Sequence, residues 1–316
     1  MSDAKFTPAL TEPARGSVPL RRDQALPPLS PAKPVSPSLL RFERLDATAR
    51  GGNFSLGHVS PTLAGGQKHP MPDRAMKLEF EILPQPNNFT CGPTCLHAVY
   101  RHFGDKIGLQ EVIDETDMLA TGGTLAVVLA NQALRRGYEA TIYTYNLEVF
   151  DPSWFLDHDD LKNKLSQQAA AKKDNSRLQY ATEAYLEYLD LGGKLRFEDL
   201  TPRLLTRYLR QGYPLLTGLC STYLYHEPRE MPNTDYDDVK GDPAGHFVIL
   251  TGYDRERREV HVADPLQSNP LGASQQYTVP IDRVVGAIFL GVMTHDANIL
   301  ILKPPSTGPK EHPVWT

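Results

Sequence analysis

The sequence predicts an α+β fold of two lobes with a site between them. Three observations predict it. Helix-period segments fill most of 91–136 and 159–212, strand-like runs follow from Leu215 onward, and a stretch rich in proline and glycine precedes both. Helices come first and antiparallel-looking strands later, and no internal repeat is visible.

The first 40 residues contain eight prolines, and 51–73 add Gly51, Gly52, Gly65, Gly66, Pro70 and Pro72. Proline removes backbone donors, and so few apolar residues cannot offset the entropy of ordering the chain. Residues 1–75 are therefore expected to be a largely disordered tail. The folded domain is expected over 76–305, with a helical lobe at about 84–210, a β lobe at about 213–303, and a short tail over 306–316.

The domain opens with a predicted strand, Met76–Leu83, ended by Pro84. A helix follows from Cys91 to about Phe103, with Cys95, Ala98, Val99 and His102 at helical spacing and Gly104 as its stop. A second short helix is expected over Leu109–Thr116. A third, Thr124–Arg136, closes on Gly137. Residues 138–145 alternate as a strand does, and 159–190 is helical again. Thr201 then caps a helix that has Pro202 at its first position. The remaining strands are predicted at Leu215–Cys220, His246–Tyr253, Glu259–Asp264, Gln275–Val279, Ala287–Met293 and Asn298–Leu302.

Composition excludes several function classes. The tail carries ten Lys/Arg and six Asp/Glu, leaving 23 basic and 32 acidic residues in the rest. A net-acidic folded part without a basic cluster does not suit a nucleic-acid groove, so no nucleic-acid partner is expected. No apolar run approaches the ~20 residues that span a bilayer. The amino terminus lacks the apolar core of a signal peptide, so a cytoplasmic location and no membrane partner are expected. Three cysteines are too few for a disulfide framework. No cofactor is implied. Cys91, Cys95, His97 and His102 do not form a metal site, because His97 leaves the helix face shared by the two cysteines and no second ligand pair follows.

The segment with the most chemical content is Gln85-Pro-Asn-Asn-Phe-Thr-Cys91-Gly92-Pro93-Thr94. A thiol at a helix start faces the partial positive charge of unpaired N–H groups, which enlarges its thiolate fraction. Cys91 is the candidate nucleophile. Gly92 is expected to let backbone and substrate approach closely. Gln85, six residues upstream, could place its amide with the Cys91 N–H as an oxyanion donor.

Among the histidines after Cys91, His246 follows Gly245 and opens an apolar strand. Strand alternation puts His246, Val248 and Leu250 on one face, and Val260, Val262 and Asp264 on one face of the next strand. A hairpin through 254–258 would bring His246 beside Asp264, where a carboxylate fixes the imidazole tautomer and supports the imidazolium.

Gln85, Cys91-Gly92, Gly245-His246-Phe247-Val248 and Asp264-Pro265 together resemble the papain-like clan, and within it the C39-like family of bacteriocin-leader peptidases and their stand-alone relatives. The resemblance implies a helical lobe bearing the cysteine and an antiparallel β lobe bearing histidine and Asp or Asn. Its sharp parts are 84–97 and 244–266, and 151–200 and 221–244 look like insertions. It implies a cysteine peptidase acting on a peptide or peptide-like substrate. An acyl transferase would use the same four residues, and a silent peptide-binding module is the alternative outside enzyme chemistry.

One more expectation concerns 222–242, which carries six acids against Arg229 and Lys240 and ends four residues before His246. It is expected to be a mobile loop at the cleft mouth. Asp235, Asp237 and Asp238, with Gly92 and Gly245, are the candidate substrate-contacting residues, favouring a cationic substrate.

Overall fold

The computed structural model describes residues 76–119, 122–156, 160–272 and 274–305. The tails expected over 1–75 and 306–316 lie outside the described residues.

Helix α1 (Cys91–His102) is buried at every position from Cys91 to Tyr100. A helix surrounded in this way belongs to the core and needs no polar face. Helices α2 (Leu109–Asp114) and α3 (Ala126–Arg135) pack against it. Gly137, at φ +86°, reverses the chain after α3 into strand β2 (Glu139–Thr144). The helical region predicted over 159–190 is two helices, α4 (Leu161–Ala171) and α5 (Ser176–Asp190). Helix α6 (Pro202–Leu209) starts as expected: the Thr201 hydroxyl accepts from Leu204 N at 3.2 Å, with Pro202 in the first turn.

One sheet collects all the described strands. They are β1 (Met76–Lys77), β2, β3 (Lys194–Arg196), β4 (Leu215–Cys220), β5 (Gly245–Asp254), β6 (Glu259–Ala263), β7 (Gln276–Pro280) and β8 (Asn298–Lys303). The order is β3-β2-β8-β4-β5-β6-β7, with β1 on β5, and only the β2–β3 pair is parallel. Period-two alternation divides the side chains between two cores. Phe247, Ile249, Leu216 and Leu300 join α1, α3 and α5 on one face. Val248, Leu250, Leu215 and Ile299 join α6 and the later helix α8 (Ile281–Leu290) on the other.

Three expectations are corrected. Strand Met76–Leu83 shrinks to two residues, because β4 already occupies that edge of β5 from Gly245 to Leu250 and leaves only its last residues to pair. The strand predicted at Ala287–Met293 is the end of α8 and a 3-10 turn, Gly291–Thr294; Ile281, Val284, Ala287 and Ile288 are buried at helical spacing. The strand expected over 138–145 forms as β2, and with β3 it extends the sheet through β8. The start of the acidic segment is the helix α7 (Ser221–Tyr225), and the rest is bound to itself: Glu230 and Asp242 exchange two backbone hydrogen bonds of 2.9 Å, and Asp237 N donates to Arg229 O.

Candidate active site

Three elements place the chemistry. The loop before α1 is wound by Asn87, whose Oδ1 accepts from Phe89 N at 2.9 Å, while Thr94 N donates to Thr90 O at 3.0 Å. No side chain caps α1, so the N–H groups at its start remain directed past Cys91. Strand β5 brings His246 to the same place. Cys95, one turn beyond Cys91, donates its thiol to Phe247 O at 3.3 Å and so ties the helix to the strand beside the histidine.

The β5–β6 hairpin supplies the carboxylate. Its register pairs Ile249 with Ala263, which sets Asp264 just past β6 on the same side as His246. His246 Nε2 lies 2.8 Å from Asp264 Oδ1. The other ring nitrogen is thereby left for the Cys91 thiol, whose pKa the neighbouring imidazole lowers. Cys91, His246 and Asp264 are all buried.

Asp264 is saturated. Oδ1 also accepts from Leu266 N at 2.8 Å, and Oδ2 accepts from the hydroxyls of Tyr225 and Tyr277, each at 2.6 Å. Burial by itself would raise this carboxyl's pKa, but the His246 charge and hydrogen bond, with the two tyrosines, hold it below the usual carboxylate range. Burial would likewise lower the histidine's pKa, and the Asp264 charge reverses that and raises it to about 10. For Cys91, burial pushes the thiol up; the His246 hydrogen bond and charge, and the backbone N–H groups of Phe247 and Gly92, bring it below its ordinary value. The arrangement therefore favours a thiolate–imidazolium pair. Cys95 differs: burial and the charges of Cys91 and Asp264 all raise its pKa, so it stays a neutral thiol.

Gln85 is brought to the site by its backbone, whose N–H donates to Pro265 O at 2.9 Å, next to Asp264. Its Nε2 donates to Asn87 O at 2.9 Å, and its Oε1 is buried without a partner among the described residues. Both glycines stand against protein neighbours that leave little room for a side chain. A Cβ on Gly92 would stand 2.8 Å from Thr124 Cγ2, and one on Gly245 would stand 2.9 Å from Thr294 Cβ.

The three loop aspartates are engaged locally. Asp237 Oδ1 accepts from Val239 N and Lys240 N, Asp235 Oδ2 accepts from Asn233, and Asp238 offers its backbone carbonyl to Arg229. The acid of this segment that senses the site is Glu230, whose carboxyl is raised by burial and lowered by the charge of His246. Sequence reasoning missed Tyr225 and Tyr277. Both sit at strand or helix positions where an aromatic reads as core, and only the pairing of β6 with β7 and the path of α7 bring them to Asp264.

An α+β chain that presents a helix-start thiol to a sheet-borne histidine–aspartate pair has the build of a papain-like protein. The profile of the Peptidase_C39 like family matches residues 77–285, and the chain belongs to that family. No curated protein matches it. Among solved structures it is similar to the peptidase domain of Streptococcus ComA, a bifunctional ABC transporter involved in quorum sensing, at 14% identity over 72% of this chain and 99% of that one, TM-score 0.35. It is also similar to a double-glycine-motif protease of an AMS/PCAT transporter in complex with the leader peptide, at 13% identity over 73% and 98%, TM-score 0.35. A third, a protein of Bacillus anthracis assigned to the C39-like peptidases, matches at 14% identity over 74% and 100%, TM-score 0.39. Among the described residues no helix is long and apolar enough to cross a membrane, and no group of three or more His, Cys, Asp and Glu could hold a metal ion.

Proposed function

We propose that this chain is a cysteine peptidase that hydrolyses a peptide or isopeptide amide through an acyl-enzyme on Cys91. The observation that carries this reading is the position of His246, bonded through Nε2 to Asp264 at 2.8 Å and near enough to Cys91 to lower the thiol's pKa. The thiolate attacks the amide carbonyl, and the oxyanion is met by the Cys91 N–H at the start of α1. Gln85 joins it by turning its amide from Asn87 O, an exposed tether, toward the cleft. Collapse breaks the C–N bond as the imidazolium protonates the departing amine. The neutral imidazole then takes a proton from water, whose oxygen attacks the thioester and releases the acid and the Cys91 thiolate, which leaves the thiolate–imidazolium pair restored.

The ionised pair predicts a pH window. Activity rises as Cys91 loses its proton, below the ordinary thiol range, and falls as His246 loses its own near pH 10. The test is cleavage of a proteome-derived peptide library in H₂¹⁸O, read by mass spectrometry, with the protein and its Cys91→Ala variant. New ¹⁸O-labelled carboxyl termini that vanish in Cys91→Ala are expected. New amide linkages without ¹⁸O would replace hydrolysis by acyl transfer. Cleavage that persists in folded Cys91→Ala would sink the mechanism.

A further inference from the structure

A carboxylate offers about four lone-pair sites to donors, and in Asp264, which is fully buried, all four are taken. Only one of the donors, His246, belongs to the proposed reaction. Leu266 N is a local backbone contact that fixes Oδ1. The other two are tyrosine hydroxyls from separate elements, Tyr225 at the end of α7 and Tyr277 in β7, which converge on Oδ2 at 2.6 Å each.

Filling space would not require these hydroxyls, since phenylalanine packs as well. Both phenols keep their protons: burial and the charge of Asp264 push them far above the ordinary tyrosine range. They are therefore donors to a carboxylate buried away from solvent. Tyr225 also lies against the imidazole, with ring centroids 6.2 Å apart. Two strong donors on Oδ2 do two things. They favour the ionised carboxylate, and they stop it rotating, so that Oδ1 stays aimed at Nε2.

We propose that Tyr225 and Tyr277 are positioning residues that act through Asp264 to keep His246 charged opposite Cys91. The inference rests on the peptidase reading above. The other titratable groups facing the pair are Cys95 on α1, which is held neutral, and Glu230, whose carboxyl feels the charge of His246. Neither supplies a donor to Oδ2.

Removing a hydroxyl weakens support for the carboxylate, which then stabilises the imidazolium less. The thiolate in turn loses part of its counter-charge, so its midpoint rises. The test needs no substrate: the rate of Cys91 alkylation by limiting iodoacetamide is followed against pH by mass spectrometry of the Cys91 peptide. The samples are the unaltered chain, Tyr225→Phe, Tyr277→Phe, the double variant and Tyr188→Phe. Tyr188 is a buried tyrosine whose hydroxyl bonds Ala140 O and Lys194 O, away from the site, and it serves as the structural control.

Each single variant should raise the midpoint by about half a pH unit and the double variant by about one unit. Tyr188→Phe should lower the urea midpoint of unfolding without moving the alkylation midpoint. An unmoved midpoint in the folded double variant, or in both single variants where the double does not fold, overturns the proposal. An ordinary thiol profile in the unaltered chain overturns it together with the ion pair beneath it.

Discussion

Gly92→Ala tests how tightly the start of α1 is seated. The added methyl would lie 2.8 Å from Thr124 Cγ2 and 3.2 Å from both Leu129 Cδ1 and Phe247 Cδ2. Thr124 cannot rotate its methyl away freely, because its hydroxyl donates to Asp117 O at 3.0 Å and turning it would give up a bond worth about 1 kcal/mol. Leu129 and Phe247 are buried core residues, so any shift on their part disturbs their own packing. Overpacking of this kind costs about 1–3 kcal/mol, and the backbone-entropy gain of Gly→Ala offsets up to about 1 kcal/mol. A net loss of about 1–2 kcal/mol is expected, read from the urea midpoint with unchanged slope. The Cys91 alkylation rate should fall too, since the residue displaced adjoins the thiol. Thr124→Ser removes the nearest methyl and keeps the hydroxyl, so Gly92→Ala in that background should cost clearly less. A Gly92→Ala midpoint at or above that of the unaltered chain, with no coupling to Thr124→Ser, would refute the packing argument.

The remaining predictions concern pH, the second thiol and the acidic segment. Asp296 accepts from Ala126 N, the first residue of α3, at 2.6 Å and is bonded by Asn298; burial, working against those bonds, raises it to about 7. Its folded pKa exceeds the unfolded value of about 4, so its contribution to stability is full below pH ~4 and is lost as pH rises toward 7, and Asp296→Asn should flatten the change in urea midpoint between pH 5 and 8. Cys95→Ala should cost about 1 kcal/mol in stability, for the lost thiol contact to Phe247 O and a small cavity, while Cys91 keeps its alkylation profile; loss of Cys91 reactivity would mean that Cys95 shares the chemistry. Neutralising Asp235, Asp237 and Asp238 to Asn should raise KM for basic peptides more at low salt than at high salt and leave neutral peptides unchanged, and equal effects on both would reject steering.

Local signals and long-range pairing contributed differently to what could be read in the chain. Helix α1, the Thr201–Pro202 start of α6 and strands β4, β5, β6 and β8 follow from period, caps and breakers, all of which act within a few residues. The Cys91, His246 and Asp264 constellation was legible for the same reason: a thiol at a helix start and two alternating strands joined by a short turn allow few other geometries. Misreadings arose where the deciding partner is distant. The apolar run 287–293 suits a strand or a helix equally, and packing of Ile281, Val284 and Ile288 against the sheet selects the helix. The packing constraint on Gly92 is likewise set at a distance, by Thr124, Leu129 and Phe247, and no local signal announces it.

By itself, then, the sequence determined which residues could react and which local elements carry them, because nucleophile activation at a helix start and strand alternation are short-range effects. Only the tertiary structure decided the electrostatic setting of that chemistry. It buries Asp264, brings Tyr225 from α7 and Tyr277 from β7 to the oxygen that His246 leaves open, and spends the carboxylates of Asp235 and Asp237 on the loop's own bonds. Burial and hydrogen bonding between residues 13 and 39 positions apart depend on how the sheet and helices close around one another, and no local periodicity encodes that closure.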